Sequence, residues 1–421
     1  MGGGGVQRWL KMSKYFHQFG WNPVVYTVEA DDSIGGDNSL LAEVRDDTKI
    51  IRSTIFEPHG IYAFITGQKG KSKYSGFITK KKTGIAYKLS LFIRSNFFIP
   101  DARMFWIKPS IKTLKNWLKE NKVDAIISTG PPHSTHMIAM GIKKQFPDIP
   151  WIADFRDPWT DIDFYHELSI LPFADSKHKR LEKAVLKTAD KIVTVTWNFK
   201  KGLEKLCGRN DIELIFNGFD HEDFTEFQSK STGKFRVCHL GSMNKHRNPD
   251  KLWSALSWLT KNNESFASHL DIQLIGPVDV SITDSLKKYE LESYTSFQDF
   301  IPHKEAIEFL QSCDLLLLPI NQTRTAQGIL PGKLYEYLAT KKPILAIGPD
   351  DSDIAKVLSE YDNCLLAAYD DEESIKEFIL STFQNGTSST DRNISKYSRE
   401  THAETYAGLL NKLVGYSAAK R

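Results

Sequence analysis

Two polar side chains three residues apart, Lys333 and Glu336, follow the Pro331-Gly332 turn and open a short helix whose apolar face carries Leu334 and Leu338. A lysine beside the free N–H groups of a helix start can meet a phosphate, and a carboxylate one turn on can hold a sugar hydroxyl. A solvated i,i+3 ion pair would use the same residues, so these positions alone leave both readings open. The loop from Gly241 to Pro249 follows a predicted strand and opens a helix, with Lys245 and Arg247 placed for a phosphate and Gly241 allowing close backbone approach. Taken alone it reads as a basic solvent loop. Together with Lys333 and the 323–332 loop it becomes one candidate diphosphate pocket.

Two more clusters lie just after predicted strands, where open parallel sheets bind ligands. Thr129-Gly130-Pro131-Pro132-His133-Ser134-Thr135-His136 puts hydroxyls and imidazoles at a helix start, and Asp154-Phe155-Arg156-Asp157-Pro158-Trp159 sets two carboxylates around an arginine. His136, Arg156 and Asp157 are the candidate catalytic groups. A structural histidine and a sealed Asp–Arg–Asp network are the competing accounts. At the start, Gly2 to Gly5 form a glycine-rich loop running into a helix over 6–19; such loops admit a diphosphate, although no strand precedes this one. The sequence shows no metal-ligand spacing, no P-loop and no G-x-S-x-G, and no G-x-G-x-x-G follows a strand.

These residues need a scaffold. A chain of 421 residues exceeds what one core organises, and 41% apolar with 25% charged residues is a globular composition. No run approaches the roughly 18 apolar residues of a membrane helix, and the glycines after Met1 lead to Gln7-Arg8, which predicts no secretory leader. Four cysteines, Cys207, Cys238, Cys313 and Cys364, are scattered without a pattern and read as thiols in a reducing cytoplasm. The net charge of +3 divides unevenly: residues 1–218 carry 33 Lys and Arg against 23 Asp and Glu, a net +10, and the remainder 22 against 29, a net −7.

Strands are predicted at 24–28, 49–54, 123–128, 150–154, 191–195 and 213–216, with helices over 108–121, 134–144 and 176–188. Continuous apolar strands alternating with helices predict a parallel sheet covered on both faces. Asn217-Gly218 and the polar stretch after it mark a domain boundary, and the pattern restarts with strands at 235–240, 271–275, 314–318 and 344–347. Between Pro58 and Pro100 there is no acidic residue, while eight Lys and Arg are interleaved with eight Tyr and Phe. Such a stretch suits an anionic membrane surface or another polyanion.

In order along the chain, Gly4-Gly5-Val6-Gln7-Arg8, Pro131-Pro132, Ala153 to Trp159, Asn217-Gly218-Phe219-Asp220, Gly241-Ser242 with Arg247-Asn248-Pro249, and Gly332 to Leu338 resemble the motifs of family 4 type retaining glycosyltransferases, with the segment at 154–159 pointing to a bacterial surface-polysaccharide subgroup. The resemblance implies an α/β protein of the GT-B fold, two Rossmann-like doubly wound domains. Residues 1–218 would be the acceptor-side domain, 219–393 the nucleotide-sugar domain, and 394–421 a terminal helix packing back on the first. It implies that Glu336 bonds the donor ribose, that Lys333 and Arg247 neutralise the diphosphate with Gly241 and Leu334 at the same site, and that Gly3 and Gly4 close over it, with no metal and no cofactor. The chain departs from the pattern in three places. Gly328 stands where a glutamate is usual, Arg156 where many relatives have histidine, and the strand expected before the glycine loop is lacking, which predicts an upstream start and a first sheet short of its first strand.

The expected activity is transfer of a sugar from a UDP-, GDP- or ADP-sugar to a glycan or lipid-linked acceptor with retention of configuration, in cell-surface polysaccharide synthesis. The protein would be cytoplasmic, peripheral on the inner face of the plasma membrane through 58–100, and without a nucleic-acid partner. A non-catalytic GT-B binding or assembly protein and a sugar-nucleotide epimerase are the alternatives.

Overall fold

The computed structural model of the chain describes residues 4–29, 42–55, 85–163, 165, 168–224, 233–299, 301–386 and 392–415. The first domain holds strands β1 (Val24–Val28), β2 (Lys49–Ser53), β3 (Ile126–Gly130), β4 (Trp151–Phe155), β5 (Lys191–Thr194) and β6 (Glu213–Leu214). Its helices are α1 (Gly4–Tyr15), α2 (Ile85–Phe97), α3 (Met104–Glu120), α4 (Ser134–Lys143), α5 (Pro172–Thr188) and α6 (Trp197–Cys207). The second holds β7 (Phe235–Leu240), β8 (Leu270–Ile275), β9 (Thr295–Gln298), β10 (Leu315–Pro319), β11 (Ile344–Ile347) and β12 (Cys364–Ala367), with α7 (Asp250–Asn262), α8 (Glu264–His269), α9 (Val280–Lys288), α10 (His303–Gln311), α11 (Lys333–Ala339), α12 (Asp353–Leu358) and α13 (Glu372–Asn385). Helix α14 (Arg399–Val414) closes the described chain.

The second domain is one six-stranded parallel sheet in the order β12-β11-β10-β7-β8-β9. Every residue of β10 and β11 is buried, because both sheet faces are covered by helices. The period of two shows directly in the packing. Leu315, Leu317, Leu345 and Ile347 join Trp253 and Leu256 of α7 and Ile375 and Ile379 of α13. Leu316, Leu318, Ile344 and Ala346 face the other way, onto Leu334 and Leu338 of α11 and Ile354 and Val357 of α12.

In the first domain β3-β4-β5-β6 form a four-stranded parallel sheet, while β1 and β2 pair with each other apart from it. The expected short sheet is thus in two pieces. Ile126 and Ile127 of β3, at the sheet edge, are half-buried, whereas all five residues of β4 are buried. Trp151, Ala153 and Phe155 pack toward Val185 and Leu186 of α5 and Leu203 of α6. Ile152 and Val193 pack toward Met12 and Tyr15 of α1 and Ala403, Tyr406 and Leu410 of α14, so the last helix lies on the first domain.

Local signals explain several boundaries. Pro172 occupies the first turn of α5, where its missing N–H costs nothing, four residues ahead of the predicted start. Thr196 caps α6 by accepting from the Phe199 N–H, and Gly208 ends it in the left-handed region at φ 74°. The predicted 123–128 strand lies at β3 because pairing begins where Ile126 N–H donates to Pro150 O (2.8 Å). Helices α2, α6, α8 and α9 and strands β9 and β12 are not among the elements the sequence predicts.

The domains touch on both sides of their cleft. Asn198 at the start of α6 donates from its backbone N–H and its amide to Asp353 of α12 (2.8 Å each) and to Gln327 O (3.1 Å). Asp163 accepts from the hydroxyls of Thr323 (2.7 Å) and Thr325. On the other side Lys11 of α1 pairs with Asp223 (2.5 Å), His303 Nε2 meets the same carboxylate at 3.1 Å, and Gln7 Nε2 lies 3.2 Å from His303 Nδ1.

Candidate active site

A cavity of about 510 Å³ lies between the domains, beyond the carboxyl ends of β4, β7 and β10. Arg156 and Asp157 line it from the first domain; Asn244, Lys245, His246 and Arg247 line it from the loop after β7, and Asn321, Thr323, Thr325 and Gly332 from the segment after β10. A second cavity of about 370 Å³, at Ala355, Tyr361 and Cys364, has no cationic side chain in its wall. Of these two, the interdomain cavity is the one equipped for an anionic ligand.

The two carboxylates around Arg156 have separate duties. Asp154 is wholly buried and accepts from Arg8 (3.3 Å), Trp9 Nε1 (2.8 Å), Thr129 Oγ1 (2.8 Å) and Tyr406 OH (2.8 Å), a knot joining α1, β3 and α14. Burial opposes its charge, but Arg8 and Arg156 together with these donors hold its pKa below the usual carboxylate value. Asp157 has no such donors; burial raises its pKa, and it faces the cavity. Arg156 donates from Nε to Thr129 Oγ1 (3.0 Å) and from its terminal nitrogen to Pro131 O, and burial lowers its pKa. Its guanidinium lies against Gly5 so closely that a Cβ there would fall 1.5 Å from Nη1.

His136 does not reach the cavity, which corrects its candidacy as a catalytic group. Its ring is wholly buried and stacked on Phe155 (centroids 4.4 Å apart), with Nδ1 2.8 Å from Ser128 Oγ. Burial drives its pKa down to about 3, so it stays neutral at physiological pH. Helix α4 points this ring into the core because strand β4 packs Phe155 beneath it.

Across the cleft, Arg247 donates from Nε to Asn321 Oδ1 (3.0 Å) and from Nη1 to Ser242 O (2.9 Å), which fixes its guanidinium at the cavity wall. Lys333 runs under Gly241, its Nζ donating to Leu240 O and lying 3.3 Å from His239 Nε2. His239 Nδ1 is 3.0 Å from Leu317 O, so Nδ1 carries the proton and Nε2 offers its lone pair to Lys333. Burial first, and then the Arg247 charge, lower the pKa of Lys333 to about 7. Gly241, at φ 108°, has its Cα over the ammonium, and a Cβ would meet Nζ at 2.7 Å.

Glu336 is half-buried near His303, Asp223 and Arg399 and is not among the residues that line the cavity, and its carboxylate makes no hydrogen bond among the described residues. Burial raises its pKa, while the charges of His303 and Arg399 pull the other way. Leu334 is a core residue: its side chain is fully buried against Leu316 and Ile354, and its N–H donates to Pro331 O (3.0 Å), so neither group is available to a nucleotide. Gly4 is the first residue of α1, beside the Gly5–Arg156 contact, and Gly3 lies outside the described residues.

Sequence reasoning missed His303 with Gln7, Asp163 with Thr323 and Thr325, and Asn198 with Asp353. Each pairing depends on the docking of two domains; the Thr-x-Thr after β10 was the one local hint. The carboxylates of Glu43, Asp220 and Asp223 come within 4.8 Å of one another, but the Lys11 and Lys14 ammonium groups already lie among them at 2.5–2.6 Å. That cluster is an ion-pair network, not a cation cage.

Two parallel-sheet domains facing a cationic cleft, with the last helix returned to the first domain, make up the GT-B fold. Residues 220–401 match the model of the glycosyl transferases group 1 family, and residues 79–223 match that of Glycosyltransferase Family 4. The two matches overlap at residues 220–223 and together span 79–401, and the chain belongs to the family 4 type of GT-B glycosyltransferases. No curated protein matches it. Among solved structures it is similar to sucrose-phosphate synthase from Thermosynechococcus elongatus (12% identity, 96% of this chain and 89% of that one, TM-score 0.56). It is also similar to WaaG, a glycosyltransferase involved in lipopolysaccharide biosynthesis (13%, 98% and 94%, TM-score 0.54). A mutant of S. aureus TarM, solved with fondaparinux, α-GlcNAc-glycerol and UDP, aligns at 12% identity over 98% and 97% with a TM-score of 0.55.

Proposed function

We propose that this glycosyltransferase moves a sugar from a nucleotide diphosphate donor, a UDP-, GDP- or ADP-sugar, to a glycan or lipid-linked acceptor with retention of configuration, in cell-surface polysaccharide synthesis. The observation that carries the reading is the convergence of Arg247 and Arg156 on one interdomain cavity with Lys333 buried beneath its Gly241 edge. Cations of both domains meeting there suit a diphosphate leaving group, whose charge grows as the bond to the sugar breaks. Lys333, with its pKa near 7, regains full charge when an anion arrives. Asp157, whose pKa is raised, is suited to receive the acceptor proton on the first-domain side.

Gly328 supports a second reading, a GT-B protein that binds a nucleotide sugar without transferring it. Phe199 and Asn198 lie next to its Cα, within 3.0–3.1 Å of a would-be Cβ, so a side chain at this position would have to move them by a few tenths of an ångström. Release of UDP, GDP or ADP from a matched donor and acceptor separates the two: nucleotide binding without turnover supports the second. A thermal-shift panel of the three nucleotides and their sugars identifies the donor base. Peripheral attachment at the inner face of the plasma membrane completes the reading. It rests on the acid-free 58–100 stretch, of which 58–84 lie outside the described residues. Among the described residues no helix is long and apolar enough to cross a membrane.

A further inference from the structure

Helix α2 presents an apolar stripe outward. Leu89 (52% exposed), Ile93 (37%) and Phe97 (56%) face outward at i, i+4 and i+8, while the buried side chains among those described at 88–97, Ser90, Ser95 and Asn96, are polar. The orientation is fixed rather than incidental. Asn96 donates to Phe92 O and Ser169 O (2.9 Å each) and accepts from the Leu171 N–H (2.6 Å), which ties the helix to the segment ahead of α5. That segment extends the apolar surface, since exposed Phe173 pairs with Phe97 at a centroid distance of 6.0 Å, beside exposed Leu171. Seven of the twelve large apolar side chains exposed among the described residues lie on α2 and on the starts of α3 and α5. A patch gathered in this way marks a second apolar environment.

We propose that this face inserts into an anionic bilayer, with the Leu89–Ile93–Phe97 stripe and Phe173 below the headgroups. The proposal rests on the peripheral-membrane part of the reading above and not on the transfer reaction. Charge selects lipid over a protein partner. Lys88 and Arg94 of α2 and Lys177 and Arg180 of α5 are exposed beside the patch, and α2 contains no acidic residue. The Asp175 carboxylate is engaged by Lys179 (2.8 Å) and Tyr165 (3.0 Å). An apolar centre bordered by cations is how amphipathic helices lie in an anionic interface, whereas lysine is depleted where proteins meet.

Co-sedimentation of the full chain with vesicles of phosphatidylcholine, with and without about 30% phosphatidylglycerol, at about 50 and about 500 mM NaCl, tests this, because salt screens headgroup attraction and leaves insertion intact. Binding should require the anionic lipid at low salt and persist in part at high salt. Leu89→Ser with Phe97→Ser and Phe173→Ser should lower the salt-resistant partition by roughly tenfold or more, with the unfolding midpoint and nucleotide-induced thermal shift unchanged. Lys88→Gln with Arg94→Gln should weaken low-salt binding only. Wild-type binding abolished by high salt, or a triple apolar variant that binds like wild type, overturns insertion. A lipid-free dimer that the apolar variant converts to monomer also overturns it, making the face a contact between copies. Transfer activity is a separate readout, so lost turnover with intact vesicle binding counts against the enzymatic reading alone.

Discussion

The guanidinium of Arg156 lies against the Cα of Gly5, with Nη1 where the first carbon of any side chain would be. The start of α1 and the end of β4 thereby form one surface at the cavity. Gly5→Ala must displace Arg156 from Thr129 and Pro131. Transfer should fall by about a hundredfold through mispositioning, with a stability loss of about 1–3 kcal/mol from overpacking. Steady-state kinetics beside denaturant unfolding measure both, and a variant with near-wild-type turnover would remove Arg156 from the reaction.

Lys333 in the free protein loses its proton near pH 7, far below the ordinary lysine value, because burial and Arg247 disfavour its charge. A bound diphosphate favours that charge, so binding takes up a proton. Affinity for a nucleotide sugar, whose bridging phosphates do not titrate in this range, should therefore decline from pH 6 to pH 8. Calorimetry in buffers of different ionisation enthalpy reads the proton uptake directly. Lys333→Met should bind more weakly by roughly 1.5–3 kcal/mol and lose this component of the pH slope; an unchanged slope assigns the proton to another group.

Asp154 anchors four donors from three elements, and removing it leaves Arg8 buried without its partner. Asp154→Ala should cost about 3–5 kcal/mol, and Tyr406→Phe about 0.5–1.5 kcal/mol. The pKa of Asp154 is depressed in the folded state. Its contribution is therefore present above the unfolded carboxylate value and disappears as pH falls through the lower folded one. Urea titrations between pH 7 and pH 3 should show a stability loss that Asp154→Ala lacks.

Phe199 and Asn198 pack against Gly328, so a side chain there must displace them where the two domains touch. Gly328→Glu should separate α6 from the 326–328 turn and break the Asn198–Asp353 bonds. Small-angle scattering should record a larger radius of gyration for this variant, and Asn198→Ala should move in the same direction by less. Identical scattering from all three proteins would mean that these contacts do not hold the closed form.

Much of the second domain was legible because its strands announce themselves. Leu315 to Leu318 and Ile344 to Ile347 are apolar on both faces, a pattern that suits a sheet covered by helices on each side. The cationic residues Arg156 and Arg247 were legible for a related reason, since each follows such a strand and reaches the cavity. Helix α2 escaped notice because its stripe points outward and its polar residues inward, the reverse of the pattern that identifies a core helix. His136 and Leu334 were misjudged because spacing along a helix does not say which face its neighbours bury. The contacts of Asp163 and Asn198 join residues at least 129 positions apart, and no local pattern encodes them.

Helix α14 adds a requirement of timing. Tyr406 reaches Asp154, and Ala403 and Leu410 complete the core around Met12 and Ile152, so the first domain to be translated is the last to be finished. The strands and helices from β7 to α13 can close among themselves once they have left the ribosome. The opening domain must wait with one face uncovered until residues 399–414 emerge, and during that interval it is the part of the nascent chain most in need of a chaperone.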